Sequence, residues 1–333
     1  MSKERDLQAT MEDQETPIID GQANTPDANA IDRRRFLTTA AGGLAAAGLG
    51  AATLGANTAS AKMTIPGETL ETNATKGGKR VIIINDALLQ IGPPLARNFA
   101  KQGYNLVIAQ PAKGLVKECE SHGAKVIVVP GIEQDGPNDE SQPNSTQKLV
   151  DAAMKNFGGF DSAYIRTAHH SGADILNTTA EDMQKLYESN FLAVIFALQA
   201  TMPPLMEKGA GQIVILTSAT SEKPFYDMLG YCTMRAAANM AVQCAAMTAA
   251  PKGVCINAFG TNFLNYPDAI KTLGGPDKLK NVLTHIPAGR LGEPEECAHL
   301  AMAMLDGRNM YTTGQSFMIA GGYNIATDSV HFP

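Results

Sequence analysis

The chain carries only five cysteines in 333 residues, Cys119, Cys232, Cys244, Cys255 and Cys297, and no two of them have CxxC spacing. No histidine stands at metal-ligand spacing from any of them, so the usual zinc patterns are excluded and no metal is expected. His169-His170 is an adjacent pair whose side chains would diverge on a strand, which suits packing better than ligation. An odd, scattered set of thiols also gives no disulfide framework. Beyond residue 61 there is no basic run, and the net charge is −6, so nothing points to nucleic acid. The weakly hydrophobic stretch from Thr39 to Thr58 is mostly Ala and Gly, which makes a poor membrane anchor.

One further absence concerns glycine. A nucleotide-binding α/β domain places glycines directly after its first strand, so that phosphate can approach a helix N-terminus. Here the stretch is Asn85-Asp86-Ala87-Leu88-Leu89-Gln90-Ile91-Gly92, followed by Pro93-Pro94. Only Gly92 remains in phase. Asp86 puts a negative charge where pyrophosphate would lie, and Gln90 adds bulk. At the end of the second strand, Gln110 stands where an acidic residue would grip a ribose. Together these residues predict that no dinucleotide is bound.

What is present begins at the amino end. Thirty polar, acidic residues lead into Asp32-Arg33-Arg34-Arg35-Phe36-Leu37-Thr38, then the Ala/Gly/Leu stretch, then Ala59-Ser60-Ala61. Charge, apolar run and small-x-small site in this order resemble a twin-arginine export signal. The expectation is a signal over 1–61, a linker over 62–78 broken by Pro66, Gly67, Gly77 and Gly78, and a domain over 79–333. The twin-arginine machinery would then be a partner and the periplasm the destination. Substrates of that route cross already folded, so buried free thiols are compatible with it.

From Lys79 onward, short β-branched runs alternate with longer amphipathic stretches. Strands are expected at Val81–Ile84, Leu106–Ala109, Lys125–Val129, Ser162–Ile165, Gln212–Leu216, Val254–Ala258 and Ser316–Ile319. Helices are expected at Pro93–Gln102, Ser145–Phe157, Met183–Met206, Leu229–Ala249 and Glu293–Asp306. The alternation predicts an α/β fold: a single-domain, Rossmann-like, doubly wound parallel sheet with helices on both faces. The Leu229–Ala249 segment is small or apolar almost all round, so one face should meet the sheet and the other a second subunit.

The chemistry is carried by Ser218, Tyr231 and Arg235. Ser218 follows a strand, where sites in such sheets lie. Tyr231 and Arg235 are four apart and share one face of a helix. A guanidinium, protonated at any ordinary pH, favours phenolate over phenol beside it, which makes the tyrosine a candidate general base or acid. Cys232 beside it has no partnered base and is read as packing.

Residues 79 to about 325 resemble the short-chain dehydrogenase/reductase superfamily. The resemblance is plainest in Ile286-Pro287-Ala288-Gly289-Arg290-Leu291-Gly292-Glu293-Pro294-Glu295-Glu296, in Thr313-Gly314-Gln315 and in Gly321-Gly322. Ser-x12-Tyr-x3-Arg, the eroded glycine loop and Gly260-Thr261-Asn262-Phe263-Leu264 are similar to a cofactor-free branch, the halohydrin dehalogenases. That resemblance implies a lyase converting vicinal haloalcohols to epoxides and halide, with epoxide opening by small anions as the reverse. Ser218 would hold the substrate oxygen, Tyr231 would take its proton and Arg235 would stabilise the phenolate. Backbone donors around Asn262, Phe263 and Leu264 would receive the halide, with Gln90 in place of that site's aromatic wall. Asn190 matches an asparagine that supports a proton relay in ordinary dehydrogenases. The family further implies a homotetramer. Two alternatives stay open: a nicotinamide-dependent oxidoreductase exported with its cofactor bound, and a catalytically silent member of the fold.

Overall fold

The computed structural model describes residues 78–132, 145–167, 172–267 and 269–326. Of the two units into which the chain divides, Met1–Ala59 and Ser60–Pro333, the second holds all of them. The expected export signal, the linker apart from Gly78, and His169-His170 lie outside the described residues.

Seven strands form one parallel sheet: β1 Val81–Ile84, β2 Asn105–Ile108, β3 Val126–Val128, β4 Ser162–Arg166, β5 Gly211–Ser218, β6 Val254–Thr261 and β7 Ser316–Ile319. Their order is β3-β2-β1-β4-β5-β6-β7. Helices are α1 Gly92–Lys101, α2 Leu115–Ser121, α3 Ser145–Phe157, α4 Ala180–Tyr187, α5 Ala193–Lys208, α6 Leu229–Ala249, α7 Ala269–Thr272, α8 Pro276–Thr284 and α9 Pro294–Leu305. The expected doubly wound α/β sheet is therefore the one observed, and the order reverses between β1 and β4. Such a switch point opens a crevice beyond the carboxyl ends of the strands.

Strand alternation divides the core into two layers. Val81, Ile83, Val107, Ile213, Ile215 and Ile256 pack with Leu149 of α3, Val194 of α5 and Val242 of α6. Ile82, Ile84, Leu106, Ile108, Val214 and Phe259 pack with Leu95 and Phe99 of α1, Leu115 of α2 and Leu305 of α9. Because both faces are covered, the central strands read as unbroken apolar runs instead of alternating ones. Each buried Ile or Leu side chain contributes about 1.5–3 kcal/mol of transfer free energy.

Two sequence expectations change. The helix expected over Met183–Met206 is three pieces: α4, a single π-helical turn at Glu188–Leu192, and α5. A capping box, in which Thr179 and Asp182 exchange side-chain and backbone bonds, starts α4 earlier than hydrophobic periodicity shows. The Ala180–Lys208 stretch is long and apolar enough to cross a bilayer by length and composition. Here Leu186, Val194, Ala197, Leu198 and Leu205 are buried in the domain instead. The short helices α2, α7 and α8 were not expected, since they are too brief or too polar to show a period. α8 buries no residue at all.

α6 is the full length expected. Its inner face buries Tyr231, Arg235, Ala238, Val242 and Ala246, and its outer stripe leaves Met240, Cys244 and Met247 exposed. Gly230 is required by close packing: a Cβ there would lie 2.5 Å from Leu186 Cδ1 and 2.9 Å from Met183 Sδ of α4. This contact seats the start of α6, and so Tyr231, against the rest of the domain.

Candidate active site

Ser218 ends β5 and is 4% exposed. Its Oγ accepts from Thr220 N at 3.2 Å and from Thr220 Oγ1 at 3.0 Å, capping the short turn Ala219–Ser221. With two donors already aimed at its oxygen, the hydroxyl has its own proton left to give. The turn is held in place by Ser221 Oγ donating to Ser218 O and Asn239 Nδ2 of α6 donating to Ser221 Oγ.

Tyr231 lies in the first turn of α6, with Arg235 one turn on. The guanidinium carbon of Arg235 is 5.1 Å from the Tyr231 ring centroid. Arg235 is 1% exposed. Its Nη1 donates to Thr167 Oγ1 at 3.0 Å and to Leu216 O at 3.4 Å, and its Nη2 donates to Thr167 O. Its Nε is buried without a hydrogen-bond partner. The cation is thus fixed by oxygens at the ends of β4 and β5, with its face on the phenol ring.

The loop after β6 supplies the opposite wall. Phe263 adopts φ +53°, a conformation uncommon outside glycine. Its N–H donates to Asn262 Oδ1 at 3.1 Å. The Phe263 amide is therefore engaged within the loop. Asn262 Nδ2 is instead a buried donor without a partner. Leu264 bridges to Gly292, and Gly292 N donates to Phe263 O at 3.0 Å. The Arg290–Glu296 segment therefore braces this loop. Behind it, Phe225, Phe263 and Tyr323 cluster, with Phe263 and Tyr323 edge to face at 5.0 Å. Lys223 Nζ lies 4.8 Å from the Tyr323 ring and donates to Tyr323 O and Ala326 O, tying down the C-terminal turn. Burial raises the Tyr323 phenol above its ordinary value, so it stays neutral.

These parts enclose a cavity of about 450 Å³, within the range of small-molecule sites. Ser218, Tyr231, Arg235, Asn262, Phe263, Leu264 and Gln90 all line it. Asn190 does not: it is fully buried in the π turn, and its Nδ2 donates to Ser189 Oγ. Sequence reasoning missed Arg166, Thr167, Phe225, Met228 and Tyr266. Of these, Arg166 had a signal, since it is a charged residue directly after the expected strand Ser162–Ile165, where sites in such sheets lie. The aromatic and methionine positions had none, because they come from loops without a period.

The sheet's switch point tests whether a nicotinamide dinucleotide fits. Asp86 and Arg166 form an ion pair there at 2.8 Å, with side chains 0% and 5% exposed. Asp86 Oδ1 also accepts from Leu88 N at 2.9 Å and Leu89 N at 3.1 Å. Gly92 is packed so tightly that a Cβ would lie 1.9 Å from Asp86 O. Pro93 and Pro94 withhold two N–H groups from the start of α1. Gln110 Nε2 donates to Ile132 O, closing the ribose end. The residues present do not fit a pyrophosphate.

Among protein families, the model described as Enoyl-(Acyl carrier protein) reductase matches residues 89–324. The 2,5-dichloro-2,5-cyclohexadiene-1,4-diol dehydrogenase LinX of Sphingobium indicum is 27% identical over 253 residues, 74% of this chain and 96% of that one. The 7alpha-hydroxysteroid dehydrogenase of Escherichia coli (strain K12) is 25% identical over 244 residues, 72% and 92% of the two chains. Among solved structures, acetoin dehydrogenase from Enterobacter cloacae superimposes with a TM-score of 0.65 at 20% identity, covering 76% of this chain and 98% of that chain. YwfH, an NADPH dependent reductase involved in bacilysin biosynthesis, does so with 0.67 at 21% identity, covering 76% and 100%. At these identities the structural matches speak for the fold alone.

Proposed function

The chain belongs to the short-chain dehydrogenase/reductase superfamily, and on that premise we propose that it works without hydride transfer, as a halohydrin dehalogenase-like lyase. The observation that carries this reading is the meeting of Ser218, Tyr231 and Arg235 in one cavity with Asn262–Leu264. Its neighbour, the switch-point crevice, does not fit a dinucleotide, so acid–base chemistry is what the cavity offers.

In the proposed reaction Ser218 donates a hydrogen bond to the hydroxyl oxygen of a vicinal haloalcohol, and Tyr231 takes the hydroxyl proton. The oxygen's electron pair closes a C–O bond to the neighbouring carbon as the C–halogen bond breaks and halide leaves with its pair. Tyr231 then passes the proton to solvent, so the products are epoxide, halide and a proton. Asn262 Nδ2 is the donor we assign to the leaving halide, since the Phe263 amide is engaged. Holding oxygen and leaving group in line is the geometric requirement, and the apolar wall around Phe225 and Phe263 favours small neutral substrates. Export by the twin-arginine route is part of the proposal.

A second reading, a nicotinamide-dependent oxidoreductase, is favoured by the relatives: those named above are dehydrogenases matched over nearly three quarters of this chain. It requires the Asp86–Arg166 pair to give way to a cofactor.

The test is chloride release from 1,3-dichloro-2-propanol by the purified protein without added cofactor, beside Tyr231→Phe, with nucleotide absorbance measured on the same sample. Release by the wild type, reduced about 100-fold or more in the variant, supports the lyase. Silence with chloro- and bromo-alcohols, and with azide plus an epoxide, rejects it. Bound nucleotide, or oxidation of added NADPH or NADH with a carbonyl substrate, moves the assignment to the oxidoreductase.

A further inference from the structure

The donors left in the switch-point crevice are few. Pro93 and Pro94 remove two from the start of α1, and Gly92 N is spent on Leu89 O. Leu88 N, Leu89 N and Arg166 Nη1 all point at one carboxylate, that of Asp86. Asp86 and Arg166 are sealed from solvent, and the strand ends that carry them are stitched together. Asn85 Nδ2 donates to Arg166 O at 2.8 Å, while Arg166 N donates to Asn85 Oδ1 at 2.7 Å. Two backbone amides and a guanidinium converging on one point make an anion site. Here a side chain of the same chain is its occupant.

We infer that Asp86 is a built-in anion: it fills the crevice in which this fold holds a phosphate group, and it neutralises Arg166, which lines the catalytic cavity. The arrangement has two consequences. A free phosphate or dinucleotide finds the Leu88 and Leu89 amides and Arg166 Nη1 already taken. Arg166 also stands at the cavity wall with its charge balanced, so it does not hold a second anion beside Arg235. The inference concerns the crevice and is independent of which reaction Ser218 and Tyr231 perform.

The test replaces the internal anion with an external one. Wild type, Asp86→Gly and Asp86→Ala are melted with and without millimolar inorganic pyrophosphate, with NADH and NADPH as further probes. The wild type should be indifferent to all three. Asp86→Gly should melt lower in buffer and recover by at least about 2 °C in pyrophosphate, because the added anion binds the freed donors of the folded state. Asp86→Ala also empties the crevice and covers the case in which the glycine variant does not fold; it should show the same rescue. Asp86→Gly/Arg166→Asn should lose the rescue, since one donor of the three is gone. Stabilisation of the wild type by pyrophosphate or a dinucleotide would overturn the inference. So would a folded Asp86→Gly or Asp86→Ala that ignores pyrophosphate. Chloride release by the wild type reports separately on the proposed reaction, so failure of one leaves the other standing.

Discussion

Arg235 stacks on Tyr231 while spending its donors elsewhere: its guanidinium carbon sits 5.1 Å above the ring, and both terminal nitrogens bond oxygens of Thr167 and Leu216. The cation is therefore a fixed part of the sheet's edge. It acts on the phenol by its field and its face, and the strand ends hold it in register.

That geometry makes arginine specific at 235. Lysine carries one head group and cannot span Thr167 and Leu216 while covering the ring. Arg235→Lys is expected to lower stability by about 2–3 kcal/mol, the cost of buried charged hydrogen bonds remade poorly. Activity should fall at least tenfold, mostly in kcat. Urea denaturation and steady-state chloride release measure the two effects. A lysine variant of unchanged stability and rate would show that the fork is dispensable.

The C-terminal turn is a second point of control. Lys223 stacks on Tyr323 and donates to two carbonyls there, and Tyr323 backs the aromatic wall through Phe225 and Phe263. Lys223→Met keeps much of the stem but loses the charge. We expect a loss of about 1–2 kcal/mol in stability and a severalfold rise in KM with little change in kcat. Thermal melts and a substrate series checked against wild type would reveal the opposite outcome, a kcat effect, if Lys223 touched the chemistry.

Acid should loosen the loop brace. The Arg290 guanidinium grips Glu296 with two bonds of 2.7 Å, and Glu293 N adds a third, lowering the carboxyl from its usual 4.5 to about 2. A carboxyl held below its unfolded value stabilises the fold above about pH 4.5, and that contribution disappears as pH falls through about 2. Glu296→Gln should melt below wild type at neutral pH, and the two curves should converge toward pH 2. Parallel curves across that window would remove Glu296 from the account. Glu296 and Arg290 are both exposed, which keeps the effect small in salt.

The outer stripe of α6 bears on the assembly. Met240 is 58% and Met247 80% exposed on the outer stripe of a helix whose inner face is buried. We propose this stripe as a face for a second subunit in a homotetramer, so Met240→Glu/Met247→Glu should shift the mass seen by light scattering toward smaller species. An unchanged mass would place the contact elsewhere.

The strand runs, α3 and α6 were legible in the sequence because burial on both sides of a parallel sheet demands continuous β-branched residues. A buried helix likewise demands small and apolar ones. Ser218, Tyr231 and Arg235 were legible for a similar local reason: a strand end and one helical turn set their spacing. The missing glycines, too, were visible as Asp86 and Gln90. The sequence could not show where the Asp86 charge goes. Arg166 lies 80 residues away, and only the reversal of strand order between β1 and β4 brings the two to 2.8 Å. Nor could it show that the Phe263 amide turns onto Asn262, since that depends on a positive φ at a non-glycine residue held by Gly292. Local spacing determined which side chains could do chemistry in this protein. Long-range pairing decided which of their donors remain open for it, because a hydrogen bond made inside the fold is one that no ligand can use.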